Sequence, residues 1–177
     1  MGAPLTLLFD GSFEGLMTAF FDAYARRPHP VALLPEAACQ LEFGQRYTTV
    51  STDEAKAARV VRGIRRCVGE FAYEKAWMAF LLDKPDISQT IYQYLLWGFE
   101  VGPDIRTRLV DDRALAIDKA VALVAREACA LREFLRLSER EGGVYYGEIS
   151  PQHRILPLLM PHFVERFSTQ PFLIQDC

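Results

Sequence analysis

No apolar run in this chain approaches the roughly 18–20 residues needed to cross a bilayer, so no membrane association is expected. The start, Met1-Gly2-Ala3-Pro4-Leu5-Thr6, lacks the basic stretch and long apolar core of a signal peptide. Pro4 and the strand-like run behind it argue against myristoylation at Gly2. Cysteine is sparse and scattered: Cys39, Cys67, Cys129 and Cys177 make no C-x-x-C pair and no zinc-finger spacing. They read as reduced thiols of a cytoplasmic protein and offer no cluster for an iron–sulfur site. A basic excess is missing as well. The formal net charge of −3 is not that of a dedicated DNA-binding domain, so any contact with nucleic acid must come from a local patch or from a partner. There is no P-loop, no G-x-G-x-x-G behind a strand, no H-E-x-x-H and no G-x-S-x-G. A metal centre would need His153 and His162 to converge with carboxylates such as Asp10, Glu14 or Glu148. Nothing in their spacing requires this, and no metal or cofactor is expected.

What is present is an ordinary folded chain. Its 177 residues fit one domain, 1–177, and its 50 % apolar and 24 % charged content suits a packed, soluble core. Leu5–Phe9 reads as a buried strand. From Phe13, apolar residues recur at Leu16, Met17, Phe20, Phe21 and Tyr24, one wide face of a helix. Arg26 and Arg27 suit its C-terminal end, and Pro28-His29-Pro30 stops it. Gln45–Val50 is a second strand. Ser51-Thr52-Asp53-Glu54 has the form of a capping box, opening a helix with core face Ala57, Val60, Val61, Ile64 and Val68. A further helix follows around Phe71–Leu82. Another runs from Ile87, behind Asp86, to about Phe99. The longest is predicted from Asp111-Asp112 to about Glu139, stopped by Gly142-Gly143. Val144–Ile149 and Phe172–Gln175 are strands, and Ser150-Pro151 has the form of an N-cap with a first-turn proline. The expectation is an α+β fold: about six helices packed on one small sheet of about four short strands drawn from both chain ends.

The stretch from Val144 to Phe167 concentrates two of the three histidines and prolines at 151, 157 and 161 within an apolar segment. Proline inside a helix removes a hydrogen bond and clashes with the preceding turn. The backbone must therefore turn irregularly while staying packed. Such a segment either holds His153, Arg154, His162 and Arg166 at defined positions or simply packs as a kinked connection.

Two further constellations stand out. Asp10-Gly11-Ser12-Phe13-Glu14 lies between a strand and a helix start. Asp10 and Glu14 there are candidates for acid and base work with His153 and His162, or else a cap and a favourable helix-dipole charge. On the helix after Ser51, Arg59, Arg62 and Arg66 fall within roughly 60° of one another at 100° per residue, with Lys56 close to the same stripe. That stripe can neutralise phosphates on a nucleic-acid backbone or be a solvated face balanced by neighbouring acids. Arg126, Arg154 and Arg166 are further candidates for phosphate contact. The other arginines of the long helix, Arg132, Arg136 and Arg140, alternate with glutamates and suit intrahelical pairing. Tyr145 and Tyr146, adjacent in a strand, must point to opposite faces.

Several segments resemble one bacterial family of DNA-metabolism and repair proteins. They are Phe9-Asp10-Gly11-Ser12-Phe13-Glu14-Gly15-Leu16, the Ala76–Leu82 run, Gln93-Tyr94-Leu95-Leu96-Trp97-Gly98-Phe99, Arg126-Glu127-Ala128 and Glu133-Phe134-Leu135-Arg136. Most specific is Tyr145-Tyr146-Gly147-Glu148-Ile149-Ser150-Pro151-Gln152-His153-Arg154-Ile155-Leu156-Pro157, continued in Pro161-His162-Phe163-Val164-Glu165-Arg166-Phe167. The resemblance runs over essentially the whole chain. Members of that family accompany a radical-SAM protein of DNA modification or repair, and some are fused to a uracil-DNA glycosylase domain. The resemblance marks Asp10, Ser12, Glu14, Arg126, Glu127, His153, His162 and Arg166 as motif positions without giving them roles. The chain departs from the pattern at Cys129 and at Gln175, where the family carries histidine. A metal or acid–base role built on those histidines lacks its groups here. The resemblance also implies that similar chains run on past Cys177.

Three functions are therefore open. The first is a DNA-repair accessory domain that binds nucleic acid through the arginine stripe and works with a radical-SAM or uracil-DNA glycosylase partner. The second is an enzyme on nucleotides or damaged DNA using Asp10, Glu14, His153 and His162. The third is a protein–protein scaffold formed around the proline-rich segment.

Overall fold

The computed structural model describes residues 4–26, 29–40 and 42–177; Gly2, Arg27 and Pro28, named above, lie outside these. The first βαβ unit is β1 (Leu5–Phe9), α1 (Phe13–Tyr24) and β2 (Ala32–Pro35). The turn after β1 passes through Gly11, whose φ of +83° is open to glycine without strain. Ser12 then caps α1, its side chain accepting from the Gly15 amide at 2.8 Å. β3 (Arg46–Thr49) lies on the other side of β1, and all three strands are parallel in the order β2-β1-β3. The central strand buries Leu7 and Phe9 fully.

Four helices follow: α2 (Glu54–Cys67), α3 (Glu70–Phe80), α4 (Ile87–Val101) and, after a 3-10 turn at Gly102–Thr107, α5 (Asp112–Phe134). α1 packs along α2, and α3 and α4 pack on α5. The chain closes with β4 (Ser138–Glu139), β5 (Tyr145–Ile149), α6 (Leu156–Arg166) and β6 (Phe172–Asp176). β5 pairs antiparallel with β4 and parallel with β6, so β5-α6-β6 is a second βαβ unit. Phe163 on α6 is fully buried and lies 6.5 Å from Phe172 between ring centres. One apolar cluster joins β1, the helices and α6.

The α+β class and the six helices stand, but the single sheet does not. There are two three-stranded sheets, one from each end of the chain. β1 spends both edges on β2 and β3, and β5 spends both on β4 and β6. Neither centre strand has an edge left for the other. Two strands escaped the sequence reading: β2 hides in an aperiodic connection, and β4 is only two residues long.

Three helix ends also differ from expectation, each through a tertiary contact. α2 is capped by Asp53, not Ser51, its carboxylate accepting from the Lys56 amide at 3.0 Å. The Asp53 amide and carbonyl are both taken by the Thr18 hydroxyl of α1 at 3.1 Å. α5 stops at Phe134, and residues 138–139 turn back to pair with β5. α6 starts at Leu156, not after Ser150, because the amides of Gln152 and Arg154 are already committed to Glu127 and to the Leu81 carbonyl. Pro157 then occupies the first turn, where its missing N–H costs nothing.

Candidate functional site

The arginine stripe of α2 borders a groove of about 830 Å³ between α1, α2 and the end of α4. Three parts of the chain line it. Besides Phe13, α1 carries aromatics at 20, 21 and 24, and they spread beyond its buried face. Gly63 on α2 faces the Phe99 ring, which an added Cβ would meet at 3.6 Å, an ordinary contact. Phe99, in the last turn of α4, closes the floor. Phe20 is buried, Phe21 and Phe99 are half-buried, and Tyr24 is 44 % exposed. The Tyr24 and Phe99 rings lie 5.4 Å apart and inclined at 52°.

Arg59, Arg62 and Arg66 are exposed along the rim. Among the described residues none of the three forms an ion pair or a side-chain hydrogen bond. Arg59 lies over the Phe21 ring at 5.6 Å, which orients the guanidinium without neutralising it. Lys56 is placed otherwise: its ammonium pairs with Asp22 at 2.8 Å, and that bond raises its pKa above the ordinary lysine value. Arg65, off the stripe, pairs with Glu70 at 3.0 Å and stacks on Tyr73.

Asp10 is a fastener. One carboxylate oxygen accepts from the Ser12 amide at 2.9 Å and from its hydroxyl at 2.6 Å; the other accepts from Thr52 at 2.7 Å. The Ser12 hydroxyl bond, the Ser12 amide and the Thr52 hydroxyl, in that order, hold its pKa below the ordinary carboxylate value. These bonds tie the end of β1 to the segment between β3 and α2. Gly15 lies against the cluster, and a Cβ there would overlap the Asp10 carboxylate. Glu14 is exposed on the first turn of α1 and borders a different groove, with Arg62, Arg65 and Tyr73.

The irregular segment before α6 is fixed by its neighbours. Glu127 accepts from the Gln152 amide at 2.6 Å. Arg154 donates its own amide to Leu81, reaches Asp83 at 3.0 Å and the Gly11 carbonyl at 3.4 Å, and covers Phe80. His153 is half-buried, and its Nδ1 is buried without a partner, as is the second oxygen of Glu127. His162 is exposed on α6 with its ring edge-on to Phe163. Among the described residues no hydrogen bond, ion pair or ring contact joins either histidine to Asp10 or Glu14. Arg126 is exposed; it is Glu127 that addresses the proline-rich segment. Arg166 is exposed, 5.6 Å from the Phe167 ring. The tyrosine pair divides as alternation requires: Tyr145 packs on Phe167 at 5.0 Å, and the Tyr146 hydroxyl donates to Glu148 at 2.6 Å. Gln175 lies 2.7 Å from the same hydroxyl, so its side chain is built into sheet contacts. No group of three or more His, Cys, Asp or Glu side chains suited to a metal ion occurs among the described residues, and no described helix is long and apolar enough to cross a membrane.

The sequence pattern marks the rim of the groove, whereas Phe20, Phe21 and Tyr24 fall on one predicted apolar helix face, of which the core takes Phe20 and leaves Tyr24 exposed.

Fold and groove together define an α+β protein with two βαβ-based sheets and a cation-rimmed, aromatic-floored groove on its N-terminal helices. The model of a family described as a domain of unknown function, DUF4130, matches residues 85–177, more than half of the chain, and the chain belongs to that family. The match begins just before α4 and covers α5, α6 and the second sheet; the Asp10 cluster and the arginine stripe precede it. Nothing among the curated proteins and nothing among the solved structures matches the chain.

Proposed function

We propose that the protein is a nucleic-acid-binding accessory protein of DNA metabolism, docking DNA phosphates on the Arg59/Arg62/Arg66 stripe. Its partner in this reading is a radical-SAM DNA-modification or repair protein, or a uracil-DNA glycosylase domain, which carries the chemistry. The observation behind it is the three exposed guanidiniums on one helix face, none with a carboxylate partner among the described residues. An overall acidic chain that leaves three adjacent cations unneutralised has a local field suited to an anionic backbone. From Arg59 to Arg66 the stripe covers about 10 Å of helix, the axial length of about three nucleotides of one strand. The resemblance to DNA-metabolism proteins supplies the partner class.

The test is fluorescence anisotropy with labelled DNA across a salt series. Binding should weaken steeply with salt, and replacing all three arginines by alanine should flatten the slope of log affinity against log salt by about 2. An unchanged slope would remove the reading.

A further inference from the structure

We infer that the groove beneath the stripe is a stacking slot for an unpaired nucleotide, so that the protein prefers single-stranded to duplex DNA. This rests on the phosphate-docking reading and goes one step beyond it, from the backbone to the base.

The groove is anionic-ligand territory on its rim and π-face territory on its floor. Arg59, Arg62 and Arg66 line its α2 side, with Arg59 over the Phe21 ring, and Tyr24 and Phe99 line it with them. Its volume of about 830 Å³ falls in the range of sites that hold small molecules, about 300–1,000 Å³. Four of its lining side chains are aromatic, and Val60 is the one branched aliphatic among them. That composition decides between two occupants carrying negative charge. An acidic amphipathic helix inserts Leu, Ile and Met side chains and is met by aliphatic or Met-rich walls. A nucleobase presents a flat π face and is met by aromatic rings beside cations. Duplex DNA shields its π faces inside the stack, so only an unpaired base can use this floor. The phosphates flanking that base would then lie along the arginine rim. Because stacking is indifferent to base identity, the slot gives strandedness preference without sequence preference.

The experiment uses the full chain and four probes of equal length: oligothymidylate, its duplex with oligoadenylate, an abasic strand with the same phosphates, and a competing peptide of alternating glutamate and leucine. Oligothymidylate should bind about tenfold more tightly than the abasic strand, the size of one base stacked on one ring. Phe99→Leu, which keeps apolar volume but removes the π face, should abolish that tenfold preference while leaving the salt slope intact. Tyr24→Leu is the second variant, and circular dichroism with thermal melting checks that both fold. Equal affinity for thymidylate, duplex and abasic strands would overturn the stacking slot and leave phosphate docking standing. Absence of salt-dependent binding to any strand would overturn both. Binding of the peptide with none of the DNA probes would assign the groove to a protein partner and overturn the inference.

Discussion

Two sets of arginines in this protein look alike in composition and differ in employment. On α2, Arg59, Arg62 and Arg66 project past an aromatic floor with no carboxylate bonded to them among the described residues. From the end of α5 to the segment before α6, Arg132, Arg136, Arg140 and Arg154 hold the chain together. Arg132 donates to the Leu158 carbonyl at 2.6 Å, Arg136 to the Glu133 carbonyl at 2.7 Å, and Arg154 joins Asp83, Gly11 and Phe80. Arg140 lies over the Tyr146 ring. Arg136 and Arg154 sit where the backbone leaves regular structure and exposes carbonyls, which their guanidinium groups satisfy, and Arg132, in the last turn of α5, ties that helix to α6. The first set lies on α2, Arg59 and Arg62 in its interior and Arg66 in its last turn, and none of the three makes a side-chain hydrogen bond among the described residues. Charge in a sequence is therefore not charge available for a partner. Availability depends on whether unpaired acceptors lie within reach.

The largest effect should come from reversing the available charge. Arg59→Glu with Arg62→Glu should lower DNA affinity well over tenfold at low salt, since two attractions become repulsions. Arg132→Glu with Arg136→Glu should change affinity less than threefold and act on stability instead. Equal losses from the two pairs would erase the distinction drawn above.

Stability measured by urea denaturation gives the converse. Glu127→Ala removes a charged acceptor from the Gln152 amide and should cost about 1.5–3 kcal/mol. Glu127→Gln keeps an acceptor there and should cost clearly less. Arg154→Ala should cost about 1 kcal/mol, because its Asp83 pair is half-exposed and weak and its cover over Phe80 adds a similar small amount. Arg62→Ala should stay within about 0.5 kcal/mol of the parent. A stripe arginine that destabilised as much as Arg154 would have a structural partner after all.

The smallest and sharpest test is a titration. Arg113 forks onto Asp111 at the start of α5 and holds that carboxyl down to about 2, from an ordinary value of 3.8. The folded pKa is depressed, so this contribution is complete above pH 3.8 and is lost as pH falls toward about 2. In Arg113→Ala the Asp111 carboxyl shift followed by NMR should move up toward 3.8. Replacing the stripe arginines, which are bonded to no carboxylate among the described residues, should leave the Asp111 titration unchanged.

The sequence alone determined the helices, four of the six strands and the face of α2 that carries the arginines, because periodicity and capping are local properties of a few adjacent residues. It could not decide the sheet arrangement, since two parallel βαβ units and one sheet shared between the chain ends use the same strands and differ only in which edges meet. Nor could it decide where α2 and α6 begin. Asp53 displaced Ser51 as the cap because Thr18 and Asp10 hold the preceding residues out of the helix, and the start of α6 waited until Glu127 and Leu81 released the backbone. The floor of the groove was settled in the same way. A phenylalanine on an amphipathic helix reads as core from any single helix, and only the approach of α1, α2 and the end of α4 leaves Phe21, Tyr24 and Phe99 facing a groove. Burial is a property of the assembled surfaces, so the chain's local pattern fixes which side chains are apolar and the packing fixes which of them meet solvent.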